Sequence, residues 1–251
     1  MLTGKTAFLT GSNRGIGKAI LIKFLENGAD IICAVRKIDP EFKDFIQLNS
    51  KKLKNKIKIL EFNLGDEVQM SNAIQSLYKE KITLDILVNN AGIAGGSLFE
   101  MTSIKNLKNI FEINFFSQIK LTQLLLRLLK KSKKASIINI GSVSGIDGER
   151  GTITYGSSKA ALMFATKVMA KEFSVYNIRV NSIAPSATNT DMLNQMDKAA
   201  KKKLLENSSL EKPLSVEEVA DKVLFLASEK SININGQIIK IDGKEKFEKI
   251  K

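Results

Sequence analysis

The chain contains no histidine and one cysteine, Cys33, among 251 residues. Histidine is the usual proton-transfer group near neutral pH, so any acid/base chemistry here falls to another side chain. A lone cysteine closes no intrachain disulfide, which fits a reducing compartment. The same scarcity denies zinc its usual ligands, and no metal is expected. No apolar run reaches the roughly 18 residues of a membrane-spanning helix, so no membrane partner is expected. The opening stretch MLTGKTAFLTGSNRG lacks the basic-then-apolar layout and cleavage site of a signal peptide. The expectation is a cytoplasmic protein.

Basic residues, by contrast, are abundant. The net charge is +13, and lysine supplies 34 of the 39 basic residues against five arginines. Phosphates and base edges are read best by arginine's planar fork. The lysines fall in scattered clusters such as LKNKIK, KKSKK and AAKKK. No helix-turn-helix, zinc-finger or aromatic RNA-binding signature accompanies them. This pattern is a solvated surface, and no nucleic-acid partner is expected.

With 43% apolar residues the chain has enough material for a sizeable core. Short apolar runs read as strands at 5–10, 30–36, 57–62, 84–89, 135–141, 178–184 and 236–242. Amphipathic stretches read as helices near 15–28, 41–54, 67–79, 103–131, 154–176 and 215–228. Continuous apolar strands separated by helices predict an α/β fold: a Rossmann-like, doubly wound, seven-stranded and mostly parallel sheet with helices on both faces. No linker or repeat divides residues 1–251, which are read as one domain. The exceptions to regular structure are a polar segment, 186–214, expected to form a lid over substrate, and a frayed tail, 244–251.

Two stretches carry chemistry. TGSNRGIG, residues 10–17, follows the first strand and opens a helix. Gly11 suits a tight turn, while Gly15 and Gly17 admit close backbone approach, so that the helix N-terminus with Ser12, Asn13, Arg14 and Ile16 can receive a pyrophosphate. TYGSSKAALMFATK puts Tyr155 and Lys159 one helical turn apart on a common face. A free tyrosine titrates near pH 10, and a neighbouring ammonium has the right sign to stabilise its phenolate. Taken alone, such a pair is a packed ring with a lysine reaching past it.

These motifs, with NNAG at 89–92, Ser142 and Ala184-Pro185, resemble in order and placement the short-chain dehydrogenase/reductase family. Within that family the chain is similar to bacterial 3-oxoacyl-acyl-carrier-protein reductases, through NIRVNSIAP, TDM and the final ING and IDG. The resemblance implies a nicotinamide cofactor and hydride transfer to a carbonyl, with Tyr155 as acid/base, Lys159 supporting it and Ser142 binding the carbonyl oxygen. Ser144 remains the rival to Ser142. It also implies that Asn114 holds a water near the lysine, although a satisfied core amide reads the same way. Asn63-Leu64, Asn90-Ala91-Gly92, Pro185, Thr188 and Thr190 would line the cofactor beside the glycine turn. An acid after the second strand would select NAD; Val35 stands there instead, followed by Arg36 and Lys37, and Arg36 with Arg14 favours the extra phosphate of NADP(H).

Three positions depart from the family pattern: Asn63 replaces an aspartate, Ser186 a glycine, and Tyr176 one of two basic residues that meet an acidic carrier, the other being Lys133. The expected substrate is an acyl-carrier-bound or small-molecule carbonyl, first a 3-oxoacyl thioester. The alternatives are another oxo compound such as a sugar or polysaccharide precursor, or a catalytically silent NADP-binding protein. Apolar residues on several faces of two helices predict oligomerisation, namely Phe111, Phe115 and Leu124 to Leu129 in one and Leu162, Phe164, Val168 and Phe173 in the other. In relatives such helices pair across a two-fold axis, so a homotetramer or homodimer is expected.

Overall fold

A computed structural model describes residues 1–190, 193 and 213–242. Most of the expected lid and all of the expected frayed tail therefore lie outside the described residues. Seven parallel strands form one sheet: β1 (Thr6–Thr10), β2 (Asp30–Val35), β3 (Ile57–Glu61), β4 (Ile86–Asn89), β5 (Ala135–Ile140), β6 (Ile178–Pro185) and β7 (Ile238–Ile241). Their order is β3-β2-β1-β4-β5-β6-β7, which is the Rossmann-like arrangement expected. The order reverses between β1 and β4. That switch point opens a crevice at the carboxyl edge of the sheet, where ligands bind in such folds.

The central strands are mostly apolar because both faces are covered, and every residue of β4 and β5 is buried. On one face α1 (Gly15–Glu26), α2 (Pro40–Leu53) and α8 (Val216–Ala227) pack Phe24, Phe42 and Val223 against Leu9 and Ile31. On the other, α3 (Glu67–Lys79) and α5 (Ser117–Leu129) bring Met70, Leu77 and Leu125 onto Phe8 and Leu87. Local chemistry sets the helix starts. Asp39 caps α2 ahead of Pro40, Asp66 caps α3, and Ser215 with Glu218 closes a capping box on α8. The N-terminus of α1 has no side-chain cap, so its N–H groups remain available.

The stretch expected as one helix from 103 to 131 is interrupted. It runs as α4 (Ile104–Phe111), a π-helical turn over Glu112–Phe116, and α5. Beside it, short α6 (Ser144–Asp147) leads to α7 (Ile153–Phe173). The apolar excess of these helices divides in two. Leu125, Leu128, Leu129 and Leu162 are buried, whereas Phe116, Phe164 and Val168 are exposed by 53, 68 and 39%. Among the described residues no helix is long and apolar enough to cross a membrane.

Candidate active site

The glycine turn joins β1 to α1 at the switch point. Gly11 and Gly15 take positive φ angles of 66° and 51°, open to glycine at no steric cost. Gly17 is required for contact: a Cβ there would stand 1.9 Å from the Gly11 carbonyl oxygen. Asn90 ties the turn to β4, its amide donating to the carbonyls of Thr10 and Gly11 at 2.8 and 3.1 Å. Thr10 Oγ1 in turn accepts from the N–H groups of Asn90 and Ala91, both at 2.9 Å. Ser12 is fully buried and faces the Cys33 thiol, whose pKa burial pushes up to about 12. Arg14 is exposed at the start of α1, with Asn13 and Ile16 partly buried on either side of the turn.

At the far end of β2, Arg36 and Lys37 are exposed. The turn that carries them is held by a residue the sequence reading passed over: the Glu61 carboxylate, at the end of β3, accepts from the Ile38 N–H at 2.8 Å. Parallel pairing of Val35 with Glu61 makes this contact, and nothing short of that register announces it. Asn63 folds back, its side-chain oxygen accepting from Gly65 N–H at 3.2 Å, with Leu64 half-buried beside it.

At the carboxyl end of β5, Ser142 is buried, and its oxygen accepts from the Ser144 N–H at 3.2 Å. Ser142 stands near enough to the Tyr155 hydroxyl to act on its ionisation. Tyr155 itself is partly buried on the first turn of α7. Burial pushes its pKa above the usual value, and the Ser142 contact offsets part of that rise. Lys159 is 3% exposed; its ammonium donates to the Ile140 carbonyl at 2.7 Å and lies 5.8 Å from the tyrosine ring centre. Desolvation lowers its pKa to about 8. In the protein alone, therefore, burial outweighs any pull of the lysine on the tyrosine.

Asn114 sits in the π-helical turn, a feature frequent at functional sites. Its amide oxygen accepts from Ile93 N–H at 2.8 Å, and its nitrogen donates to the Ile93 carbonyl at 2.9 Å and to Ser158 Oγ at 3.1 Å. Ser158 Oγ donates to the Tyr155 carbonyl. Gly92 leaves the space between these groups: a Cβ there would come within 3.1 Å of Asn114 Oδ1 and 3.4 Å of Lys159 Nζ. At the end of β6, Pro185 accepts from the Val143 N–H at 3.1 Å. Thr188 and Thr190 follow, and a Cβ on Gly15 would meet the Thr190 methyl at 3.3 Å. All four acid/base candidates and the glycine turn thus line one crevice edge, with Arg36 and Asn63 on its β2–β3 side.

The short chain dehydrogenase family profile matches residues 5–201. The chain belongs to the short-chain dehydrogenase/reductase family. A 3-oxoacyl-acyl-carrier-protein reductase of Thermotoga maritima is 34% identical over 242 residues, 96% of this chain and 98% of that protein. The same-named enzyme of Aquifex aeolicus is 35% identical over 246 residues, 96 and 97% of the two chains. A 3α-hydroxysteroid dehydrogenase of Mediterraneibacter gnavus is 32% identical over 243 residues, 97% of each. Among solved structures, one from Agrobacterium tumefaciens described as a gluconate dehydrogenase has a TM-score of 0.88 at 26% identity, covering 96% of both chains.

As a short-chain dehydrogenase/reductase, the chain is a nicotinamide-dependent oxidoreductase acting on CH–OH and C=O groups. The residues present fit that cofactor. The uncapped N-terminus of α1 and its glycine turn suit a pyrophosphate, and the space that Gly92 leaves lies beside the buried Lys159 ammonium.

Proposed function

We propose that this chain, folded as one domain, is an NADPH-dependent reductase of 3-oxoacyl thioesters carried on acyl carrier protein. The observation that carries the chemistry is the buried Lys159 ammonium, 2.7 Å from the Ile140 carbonyl two residues before the buried Ser142 and 5.8 Å from the Tyr155 ring centre, which gathers the two hydroxyls at one crevice edge. Two hydroxyls so placed address one carbonyl oxygen. Ser142 binds it, and Tyr155, kept protonated through the neutral range by its raised pKa, donates the proton. Lys159 supplies positive charge to the phenolate that remains, and Asn114 holds the loop at Ile93 against α7. The bound cofactor supplies hydride to the carbonyl carbon.

Arg36 and Arg14, exposed where no acidic residue ends β2, support NADPH over NADH. The names of the reductases from Thermotoga and Aquifex support the thioester. A cationic corner supports the carrier. Lys133 is exposed, and Lys130 Nζ lies 3.6 Å from the Tyr176 ring centre, bringing a cation to the position where the family's basic residue is missing. A cavity of about 600 Å³ beside Ser144 and Gly156, walled by Leu98, Phe99 and Ile153, has room for a substrate's apolar arm.

The test is a panel of carbonyl compounds followed by loss of NADPH absorbance. Carrier-bound 3-oxoacyl thioesters should turn over with the highest kcat/KM. Faster turnover of a keto sugar or steroid would replace the thioester reading. Tight NADPH binding with no oxidation on any carbonyl would replace the enzyme with a silent binder.

A further inference from the structure

Among the described residues, five buried side-chain atoms have no hydrogen-bond partner: Ser12 Oγ, Asn55 Oδ1, Asn89 Oδ1, Gln118 Oε1 and Ser186 Oγ. Four of them have an evident place in the fold. Ser12 faces the Cys33 thiol. Asn55, Asn89 and Gln118 each donate through their amide nitrogen, which fixes their orientation and leaves only the oxygen over. Ser186, like Ser12, makes no side-chain bond of either kind, but the chain's one thiol, which faces Ser12, lies on β2, four strands away from β6.

Its backbone is nevertheless held firmly. The Ser186 N–H donates to the Ile241 carbonyl at 2.8 Å, and its own carbonyl accepts from Thr188 Oγ1 at 3.0 Å. The preceding Pro185 carbonyl accepts from Val143 N–H, next to Ser142. The hydroxyl cannot drift away to find a partner, and an unpaired buried hydroxyl is costly to keep. It stands at the carboxyl edge of β6, on the ligand-binding side of the sheet.

We propose that Ser186 is a cofactor-binding residue whose hydroxyl pairs with the carboxamide of the nicotinamide. The strand order supplies the reason. The two arginines and Asn63 put the adenosine end near β2 and β3, while β6 lies across the switch point, beyond β1, β4 and β5. A dinucleotide stretched over the crevice therefore brings its nicotinamide end toward β5 and β6. The carboxamide is uncharged and offers both a donor and an acceptor, which matches a hydroxyl that can serve as either. A phosphate would call for cations or a cluster of N–H groups, and the Ser186 N–H is already engaged. This inference rests on the nicotinamide cofactor but not on the choice between NADPH and NADH, nor on the substrate.

Ser186→Ala tests it by equilibrium titration with NADPH, reduced nicotinamide mononucleotide and adenosine 2′,5′-bisphosphate, alongside thermal unfolding of the free protein. The expected result is about 5-fold weaker binding of the two nicotinamide ligands and unchanged binding of the adenosine half. The free variant should melt no lower than wild type, because a methyl group in that position wants no partner. Equal weakening of all three ligands, or unchanged nicotinamide affinity, overturns the proposal. So does a free protein that melts lower or fails to fold, which would assign the hydroxyl to a structural water. Wild-type protein that binds neither NADPH nor NADH would instead overturn the cofactor reading itself.

Discussion

The acidity of the buried lysine makes a sharp prediction about catalysis. Desolvation brings Lys159 from 10.5 to about 8, while Tyr155 is held above its usual value and stays protonated well beyond that point. The proposed carbonyl reduction needs both a protonated tyrosine and an ammonium behind it to receive the developing phenolate charge. With the tyrosine protonated throughout, the lysine alone sets the alkaline limb. The profile of kcat/KM for reduction should be flat up to about pH 7, then fall roughly tenfold per unit above about pH 8 as the ammonium is lost. Lys159→Arg supplies the control, because arginine keeps its charge throughout this range. The variant will be slower, since the longer guanidinium must fit where Nζ reaches the Ile140 carbonyl at 2.7 Å, but its limb near pH 8 should vanish. Initial rates at subsaturating substrate across pH 6 to 10 measure this, and NADPH titration verifies that the variant is folded. An unchanged limb in Lys159→Arg would assign the titration elsewhere and remove the lysine from the proton chemistry.

The same group leaves a mark on stability. Because its folded pKa of about 8 lies below the ordinary 10.5, the unfolded chain holds more protons between those values, so wild type should gain on Lys159→Met as pH rises through that window, by about 3 kcal/mol in full; denaturant midpoints at pH 7 and 10.5 test the sign. Tyr155→Phe should lower turnover by about 10²-fold or more with NADPH binding nearly intact; single-turnover kinetics that retain a tenth of the wild-type rate would refute the acid/base role. Arg36→Asp should weaken NADPH far more than NADH in parallel titrations, and equal weakening would show that it does not read the extra phosphate. We propose that the exposed Phe116, Phe164 and Val168 pack against a second copy of the chain: light scattering at micromolar concentration should give a dimer or tetramer, and a single species of monomer mass would dismiss that interface.

The sequence by itself determined the alternation of strands and helices, because apolar periodicity is a local property that each segment carries alone. It also placed Tyr155 and Lys159 on one face through helical spacing, and located the glycine turn through residues whose steric freedom is intrinsic to them. The parts it left open depend on partners far away in the chain. How Ser142 and Ser144 stand to each other, with the Ser142 oxygen accepting from the Ser144 N–H, depends on the turn that α6 makes at the end of β5. The π-helical turn that aims Asn114 at Ile93 has no periodic signature, since one widened turn leaves the apolar pattern on either side readable as helix. Glu61 reaches the turn bearing Arg36 only through the register of β2 against β3, and Ser186 loses its partners only where β6, β7 and the Val143 loop converge. Charge behaved in the same way. The spacing of Tyr155 and Lys159 suggested a lysine that lowers a tyrosine's pKa, yet burial moved both groups toward their neutral forms, and desolvation is a property of the assembled interior that no short stretch of residues contains.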